Sequence, residues 1–439
     1  MLLRFRVINH KSIRDEAELS LVAPSLKTQS PPDGSWARAT SRVAAIYGAN
    51  ASGKSTLLDG LRFLRSAVMN SAMSWSEPEH KFPYFPFRLD EDSAKRPSLY
   101  EVDFVADNVR YLYGFEVRRD RIEGEWLYSY PSRKRRLLLE RGPDPAETTF
   151  GRSIGGLGST LMKLASPSTL ILSHGYRLKH KLLSVVRDGL VHGLQFAEIS
   201  RKGNAFRVGT LRRNLIEDEE LKKHVEALIR TADLGIVGIN IVERELSAEE
   251  VDKFTAFHES ISKFTEGTIG PVEEMLEETR FSVTLEHESS GLKKSRSFHL
   301  HEESEGTVAW LALVVPALHS LRHGETLLID EVGANLHPVL TKELIRIFKD
   351  GDLNPAGGQL VFTTHDTPLM GTLLGDTLAR DEVWFAEKSP DGVTSLYSLE
   401  EFSVKSEANF EKRYLEGRFG AVPQIQDDEL RSALLGLGV

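Results

Sequence analysis

Segment 45–58 constrains this chain more than any other stretch of its sequence. An apolar run ends at Gly48, four residues separate it from Gly53, Lys54 and Ser55, and a helical pattern follows. This G-x-x-x-x-G-K-[ST] pattern predicts a strand, a phosphate-binding loop and a helix. The glycines let backbone N–H groups wrap a phosphate chain, and the helix directs its positive dipole end at the same place. We therefore predict nucleotide binding here, in preference to a Gly/Ser-rich surface turn.

Two side chains of this loop have defined roles in the pattern. Lys54 is expected to reach the β- and γ-phosphates, and the hydroxyl of Ser55 is expected to ligate Mg²⁺. We therefore predict ATP and Mg²⁺ as the cofactors. The residues expected to surround the nucleotide are Gly48, Asn50, Ser52, Gly53, Lys54, Ser55 and Thr56.

Two further apolar runs end in polar side chains. Asp330 and Glu331 follow the run 326–329, and His365 follows the run 359–364. Ligands sit at the carboxyl ends of strands in a parallel sheet, so we expect Asp330 to hold Mg²⁺ through water. Glu331 would orient and deprotonate the attacking water, and His365 would contact the γ-phosphate. An isolated Asp-Glu pair or histidine is more often structural, and the combination of features favours catalysis.

A second helix start lies between these features. Ser304 and Gly306 belong to a polar, glycine-containing segment that opens the helical pattern 308–321. Such a start can bind an anion through its free N–H groups and its dipole. The same Ser-x-Gly pattern is also common in an ordinary helix cap, so this segment alone decides little.

In chain order, these four segments resemble the Walker A, signature, Walker B and switch-histidine motifs of ABC-type ATPases, in particular the SMC-like branch with an inserted arm. The resemblance covers 45–60 and 300–370. It implies an α/β ABC-type ATPase head with a mixed parallel and antiparallel sheet, and a homodimer or higher homo-oligomer formed through the heads. Ser304 and Gly306 of one subunit would then face the nucleotide-binding residues of the other, namely Lys54, Ser55, Asp330 and Glu331.

The sequence departs from the ABC pattern in two ways. Ala51 stands where these loops often carry glycine. We also recognise no glutamine for the loop that usually links Mg²⁺ to the arm.

A narrower resemblance comes from the flanking segments. Segments 3–13, 85–89, 111–117, 335–338 and 413–423 are similar to AAA-type ATPases of bacterial abortive-infection and anti-phage systems, the RloA- and AbiL-like group. The resemblance implies a nucleotide-dependent switch, the sensor or regulator of a defence system. Some related ATPases carry a Toprim-type nuclease at the C-terminus. About forty residues after position 400 are too few for one, so we expect a separate effector protein, with a Toprim-like nuclease as one candidate.

Two other functions stay open at this point. One is an SMC-like DNA-repair or DNA-end-binding ATPase, and the other is an ATP-assembled scaffold with little turnover. Segment 177–230 has 12 Lys/Arg against 7 Asp/Glu within a chain of net charge −9, so DNA is a candidate partner. A solvated helical face is the simpler interpretation of this charge.

Composition and patterning predict the organisation of the chain. We expect one part of the ATPase head over 1–132, a compact, mainly helical insertion over 133–275, and the other part of the head over 276–439. The absence of cysteine fits a reducing cytoplasm, and no apolar run reaches about 18 residues, so we expect a cytoplasmic protein without a membrane segment. Near the C-terminus, we expect Tyr414, Arg418 and Phe419 to pack on the head or on a neighbouring subunit.

Local patterns predict the elements of the first part. Strands are expected at 2–8, 17–22, 98–106, 109–119 and 122–130, a loop at 24–41, and a helix at 54–73 with one apolar side.

Overall fold

A computed structural model describes the chain up to residue 435. It leaves out positions 27–30, 32–33, 74, 76–81, 198–214, 216–217, 233–234, 244, 263–271, 273–275, 277–278, 289–294, 335, 376, 405–408, 424–430 and 433. The chain forms two compact units. The first comprises Met1–Phe196, Ser320–Gly333 and Thr341–Val439, and the second comprises Ala197–His319 and Ala334–Leu340.

The elements are numbered in chain order. The strands are β1 (Leu2–Ile8), β2 (Ala17–Ser20), β3 (Val43–Tyr47), β4 (Ser98–Ala106), β5 (Val109–Val117), β6 (Ile122–Tyr130), β7 (Arg136–Arg141), β8 (Thr149–Phe150), β9 (Leu194–Ala197), β10 (Ile236–Glu243), β11 (Phe281–His287), β12 (Arg296–His299), β13 (Thr326–Ile329), β14 (Gln359–Thr363), β15 (Val383–Lys388) and β16 (Thr394–Ser398). The helices are α1 (Lys54–Asn70), α2 (Gly158–Leu164), α3 (Ile171–Arg177), α4 (Lys181–Val191), α5 (Glu219–Thr231), α6 (Ala248–Ser262), α7 (Glu305–His323), α8 (Pro338–Lys349) and α9 (Phe410–Leu415).

The first unit contains an antiparallel sheet with the order β2-β1-β4-β5-β6-β7-β8. The hairpin between β4 and β5 turns at Asp107 and Asn108, which both have positive φ, as a tight two-residue hairpin turn requires. The strands predicted at 2–8, 98–106 and 122–130 are confirmed, and those predicted at 17–22 and 109–119 end two residues earlier, at Ser20 and Val117. Each turns its apolar side chains, such as Phe5, Val102 and Tyr113, into the core.

The other sheet of this unit has the order β16-β15-β3-β14-β13-β9. The central strands β13, β14, β3 and β15 run parallel, and β16 pairs with β15 in the antiparallel sense. Every residue of β3 is buried, as expected for a central parallel strand that is covered on both faces. The predicted fold class, a mixed α/β head with parallel and antiparallel sheets, is confirmed.

Helix α1 supplies part of the core of this unit. Its leucines at positions 57, 58, 61 and 64 are buried, at the spacing of one helix face, and they join one cluster with buried side chains of both sheets. Gly60 lets the helix approach β1 closely, because a Cβ there would lie 3.2 Å from the Phe5 ring. The helix ends at Asn70, three residues before the predicted end.

Residues 133–196 differ from the predicted helical insertion. They belong to the first unit, because β7 extends the antiparallel sheet by pairing with β6 and because α3 and α4 contact α1. The boundary of the second unit therefore lies at Ala197 and not near position 133.

The second unit is also less helical than predicted. Strand β10 reads Ile-Val-Gly-Ile-Asn-Ile-Val-Glu, whose β-branched residues favour a strand, and it forms an antiparallel sheet with β11 and β12. Helix α5 packs on β10, with Leu221, Val225 and Ile229 buried along one side.

The C-terminal segment packs largely as expected. Tyr414 and Phe419 are buried on the first unit, and Arg418 is exposed and pairs with Glu416. Among the helices that the structure describes, none combines the length and the apolar character needed to cross a membrane.

Candidate nucleotide site

Two glycines shape the loop between β3 and α1. Gly48 and Gly53 have φ angles of 157° and 103°, which favour a residue without a side chain. A Cβ at Gly53 would lie 2.1 Å from Thr394 Oγ1, and one at Gly48 would lie 2.3 Å from the Ala386 carbonyl oxygen. The β15–β16 hairpin therefore lies directly against the loop.

Ala51, which stands where ABC-type loops often carry glycine, has a φ of 61°. This backbone conformation would be less strained for glycine.

Lys54 is held by the loop that it follows. Its ammonium donates to the carbonyl oxygens of Gly48 and Ala49, at 2.8 and 2.9 Å, and the residue is only 5% exposed. Burial lowers the pKa of Lys54, and the carboxylates of Glu331 and Asp330 oppose this shift. A buried cation beside backbone N–H groups is suited to a polyanionic ligand.

Hydroxyl groups surround the same loop. The Ser52 hydroxyl is buried and has no hydrogen-bond partner among the described residues, so it is available to a ligand oxygen. Thr394 Oγ1 donates to the Ser52 carbonyl oxygen at 2.8 Å and lies 2.9 Å from Ser12 Oγ. Ser12 Oγ donates in turn to Thr56 Oγ1 at 3.1 Å. Asn50, which was predicted to lie beside the nucleotide, is exposed. Sequence reasoning missed Ser12 and Thr394, because neither belongs to a recognisable phosphate-binding pattern.

Asp330 lies where the end of β13 meets the end of β14 and the start of α1. Its Oδ1 accepts hydrogen bonds from Ser55 Oγ at 3.0 Å and from Thr363 Oγ1 at 2.6 Å. The parallel register pairs Ile329 with Phe362, so the next residues of β13 and β14 become neighbours. A carboxylate and a hydroxyl are oxygen ligands of the kind that Mg²⁺ prefers. Ser55 and Asp330 therefore fit the predicted metal, and Thr363 is an additional residue that sequence reasoning missed.

Glu331 and His365 form the accessible part of the cluster. Glu331 has a φ of 56°, its N–H donates to Thr363 Oγ1 at 2.7 Å, and its carboxylate lies 3.9 Å from His365 Nε2. Burial, followed by the charge of Lys54, lowers the pKa of His365, although the nearby carboxylates oppose this. The imidazole is therefore neutral at pH 7 and can act in hydrogen bonding.

Ser304 and Gly306 belong to the second unit, whereas the other predicted site residues belong to the first. Ser304 is exposed and caps α7: its Oγ accepts from Thr307 N at 3.1 Å and lies 2.9 Å from Thr307 Oγ1. The predicted helix start is confirmed, and its observed contacts are those of an N-cap.

The turn that carries Ser12 is fixed by a buried histidine. His10 is fully buried and bonds Tyr100 through Nδ1 and Asp59 through Nε2, each at 2.8 Å. Burial raises the pKa of Asp59, but hydrogen bonds from His10 and Lys11 outweigh this and bring it to about 2. Asp59 lies one turn beyond Ser55 on α1, so the polar cluster ties β1 to the start of this helix.

A groove of about 510 Å³ opens beside this turn. Its lining carries three cationic side chains and exposed apolar groups, and the residues that form it include Lys11, Ser12, Phe85, Arg88, Leu89 and Lys388.

Some predicted features lie outside the described residues. These are Asn335 and the basic pairs 201–202 and 212–213, which contribute to the charge surplus of segment 177–230.

The comparison with known families decides the affiliation of the chain. A family model described as "AAA domain, putative AbiEii toxin, Type IV TA system" matches residues 43–371. The chain belongs to this family. The predicted resemblance to P-loop ATPases of the abortive-infection group is thereby confirmed. None of the curated proteins matches the chain significantly.

Two solved structures of SMC heads are similar to the chain. One is the SMC head bound to the C-winged helix domain of ScpA, at 12% identity and a TM-score of 0.45, covering 92% of this chain and 98% of that one. The other is the SMC head domain from Thermotoga maritima, at 12% identity and a TM-score of 0.40, covering 90% of this chain and 98% of that one.

Proposed function

We propose that the protein binds and hydrolyses ATP, and that it acts as a nucleotide-dependent switch. The observation that carries this proposal is the shared hydrogen bonding of Asp330 Oδ1 with Ser55 and Thr363. It joins the helix after the phosphate loop to the ends of two neighbouring strands. A turn with only a structural role would not require the buried Lys54, the Ser55 hydroxyl and the carboxylates of Asp330 and Glu331 in one place.

The roles follow from the chemistry of each group. Lys54 neutralises phosphate charge, and backbone N–H groups of residues 48–56 hold the phosphate oxygens. Ser55 and Asp330 would hold Mg²⁺, which would stabilise the charge that develops on those oxygens. The groove beside Ser12 would take the nucleoside, with Phe85 as an apolar wall and Lys11 and Arg88 as cations at its rim.

Glu331 is the general base in this proposal. Its side chain is more than half exposed and can reach a water molecule, and its backbone is fixed by the hydrogen bond to Thr363. His365 stays neutral at pH 7 and can donate or accept a hydrogen bond at the γ-phosphate without adding a charge.

Assembly of two copies would complete the site. Ser304 is exposed at the start of α7, where a second copy can present it, together with Gly306, to the nucleotide bound by the first. ATP would then hold a homodimer or a larger homo-oligomer together, and hydrolysis would release it.

The cellular role is proposed from the family affiliation. A description that names an abortive-infection toxin and a toxin–antitoxin system supports a bacterial anti-phage function. In that role, the ATP-driven switch would sense infection and control a separate effector protein, such as a Toprim-like nuclease.

Glu331→Gln tests the central claim. The amide keeps the shape of the side chain but lacks the basic oxygen, so we expect ATP binding to persist and turnover to fall by about a hundred- to ten-thousand-fold. Light scattering with ATP and Mg²⁺ should show a longer-lived dimer or larger oligomer than for the parent. Glu343→Gln, on the surface of α8 and paired with Arg346, is the matched control and should behave like the parent.

Two results would contradict this proposal. Turnover by Glu331→Gln at the parent rate would mean that the base lies elsewhere, with His365 the next candidate. A parent protein that assembles with ATP but shows no measurable turnover would indicate a scaffold.

A further inference from the structure

The C-terminal segment, residues 409–423, folds back onto the first unit. Helix α9 ends where Gly417, with a φ of 74°, donates its N–H to the Tyr414 carbonyl oxygen. The returning chain is fixed by Ala421, whose N–H donates to Glu387 Oε1 at 3.1 Å and whose carbonyl oxygen accepts from the Tyr414 hydroxyl at 3.1 Å. These hydrogen bonds hold the segment in a defined conformation against the first unit.

Aromatic rings hold this segment against β15. Tyr414 and Phe419 both stack on Phe385, with ring centroids 5.4 and 5.6 Å away and interplanar angles of 17° and 26°. Tyr414 also meets the ring of Tyr47 edge-on at 6.0 Å. Tyr47 is the last residue of β3 and directly precedes Gly48, so the segment lies beside the strand that leads into the phosphate loop.

The same segment touches the chain that follows His365. The Tyr47 hydroxyl donates to the Asp366 carbonyl oxygen at 3.1 Å, and Thr367 Oγ1 donates to Glu411 Oε1 at 3.0 Å. The other oxygen of Glu411 lies against Gly371, where a Cβ would be 2.1 Å from it. Glu411 therefore contacts both ends of the 3₁₀ turn Thr367–Met370, which begins two residues after His365.

We propose that Glu411 is a positioning residue, which holds the Thr367–Met370 turn so that His365 stays beside Glu331. This inference rests on the ATPase function proposed above. Packing alone does not require this contact, because the stacking of Tyr414 and Phe419 on Phe385 already holds the segment against β15. A single hydrogen bond between half-buried side chains adds little to stability, but small displacements of a catalytic group reduce turnover strongly.

The test uses variants of both partners in the full chain. Thr367→Val keeps the shape and removes the hydroxyl, Thr367→Ser restores it, and Glu411→Ala removes the acceptor. Glu416→Ala is the matched control, since Glu416 lies in the same segment and pairs with Arg418 and Lys412 at the surface. We would measure ATP affinity, kcat, and hydrogen exchange of the backbone amides of residues 366–371, among which Pro368 has no amide hydrogen.

We expect Thr367→Val and Glu411→Ala each to lower kcat by roughly tenfold, with ATP affinity within twofold of the parent. Thr367→Ser should recover most of the rate, and the double variant should lose no more than either single one. Amide exchange in residues 366–371 should quicken in both variants and stay unchanged in Glu416→Ala.

Unchanged amide exchange in Thr367→Val and Glu411→Ala would overturn the inference, whatever their turnover. Parent-like kcat in both variants would also overturn it. Failure of the ATPase proposal is a separate result, recognised by a parent rate no higher than that of Lys54→Ala. In that case faster exchange in these variants would support the positioning contact, and parent-like exchange would refute it.

Discussion

The phosphate loop and the helix start at Ser304 are both candidate anion sites, but they are built differently. In the loop, Lys54 is buried and the Asp330 carboxylate is shared by two hydroxyls from different elements. Ser304 is exposed, and the hydrogen bonds of its hydroxyl to described residues are made with Thr307, in the first turn of its own helix. The first site is organised within one chain, whereas the second is an N-cap that, in the proposed assembly, would meet a nucleotide bound by another copy. A mutation should therefore affect binding at the first and assembly at the second.

The largest expected effect is that of Lys54→Ala. Removing the buried ammonium removes a charge-assisted contact to phosphate and leaves the carbonyl oxygens of Gly48 and Ala49 without that donor. We expect ATP affinity to fall by about a hundredfold or more, measured by nucleotide titration. Lys253→Ala, at an exposed ion pair with Glu249, is the control. Normal ATP affinity in Lys54→Ala would show that the loop is not part of the ATP-binding site.

Ser304→Arg should separate assembly from binding. A bulky cation at this helix start should leave ATP binding by one head nearly intact, and it should lower ATP turnover by at least roughly tenfold by blocking closure. Ser247→Arg is a matched control, because Ser247 is also exposed and its Oγ accepts from Glu250 N at the start of α6. Both changes remove a cap worth about 1 kcal/mol. Equal turnover in the two variants would show that Ser304 is only a cap.

Gly53→Ala probes how tightly the loop is built. The positive φ and the close Thr394 hydroxyl should make this change cost about 1–3 kcal/mol of unfolding free energy, seen in thermal melts. Gly156→Ala, where no atom lies near the added Cβ, should stay within about 0.5 kcal/mol of the parent. Combining Gly53→Ala with Thr394→Ala should recover part of the loss, and a melt unchanged by Gly53→Ala would contradict the close packing.

The smallest expected effect concerns pH. Because the pKa of His365 is lowered, its imidazole takes up a proton only at a pH below the ordinary histidine value. The kcat should therefore be flat from pH 7 down to that value and fall at lower pH. His365→Gln should remove the lower limb of the profile. A limb that persists in this variant would belong to another group.

Sequence reasoning predicted the local structure correctly where one short segment contains both a motif and the elements that carry it. The run 45–58 predicts a strand, a turn and a helix together, and Asp330 and His365 are marked by the strands that precede them. It failed for Ser12 and Thr394, because their contact to the loop depends on strand order, and hydroxyls at such positions carry no pattern. It also wrongly assigned residues 133–196 to a helical insertion, because the sequence alone does not show that α3 and α4 pack on α1.

The position of β3 in its sheet has a consequence for synthesis of the chain. Its two neighbours, β14 and β15, are encoded more than three hundred residues later, and so is Thr394, which closes over Gly53. A ribosome therefore translates the phosphate loop early, but the strands that pack beside the loop emerge only with residues 359–398. A nascent chain that has not yet released β15 and β16 therefore lacks the strands that pack against this loop, and the proposed ATP binding would have to wait until they have emerged.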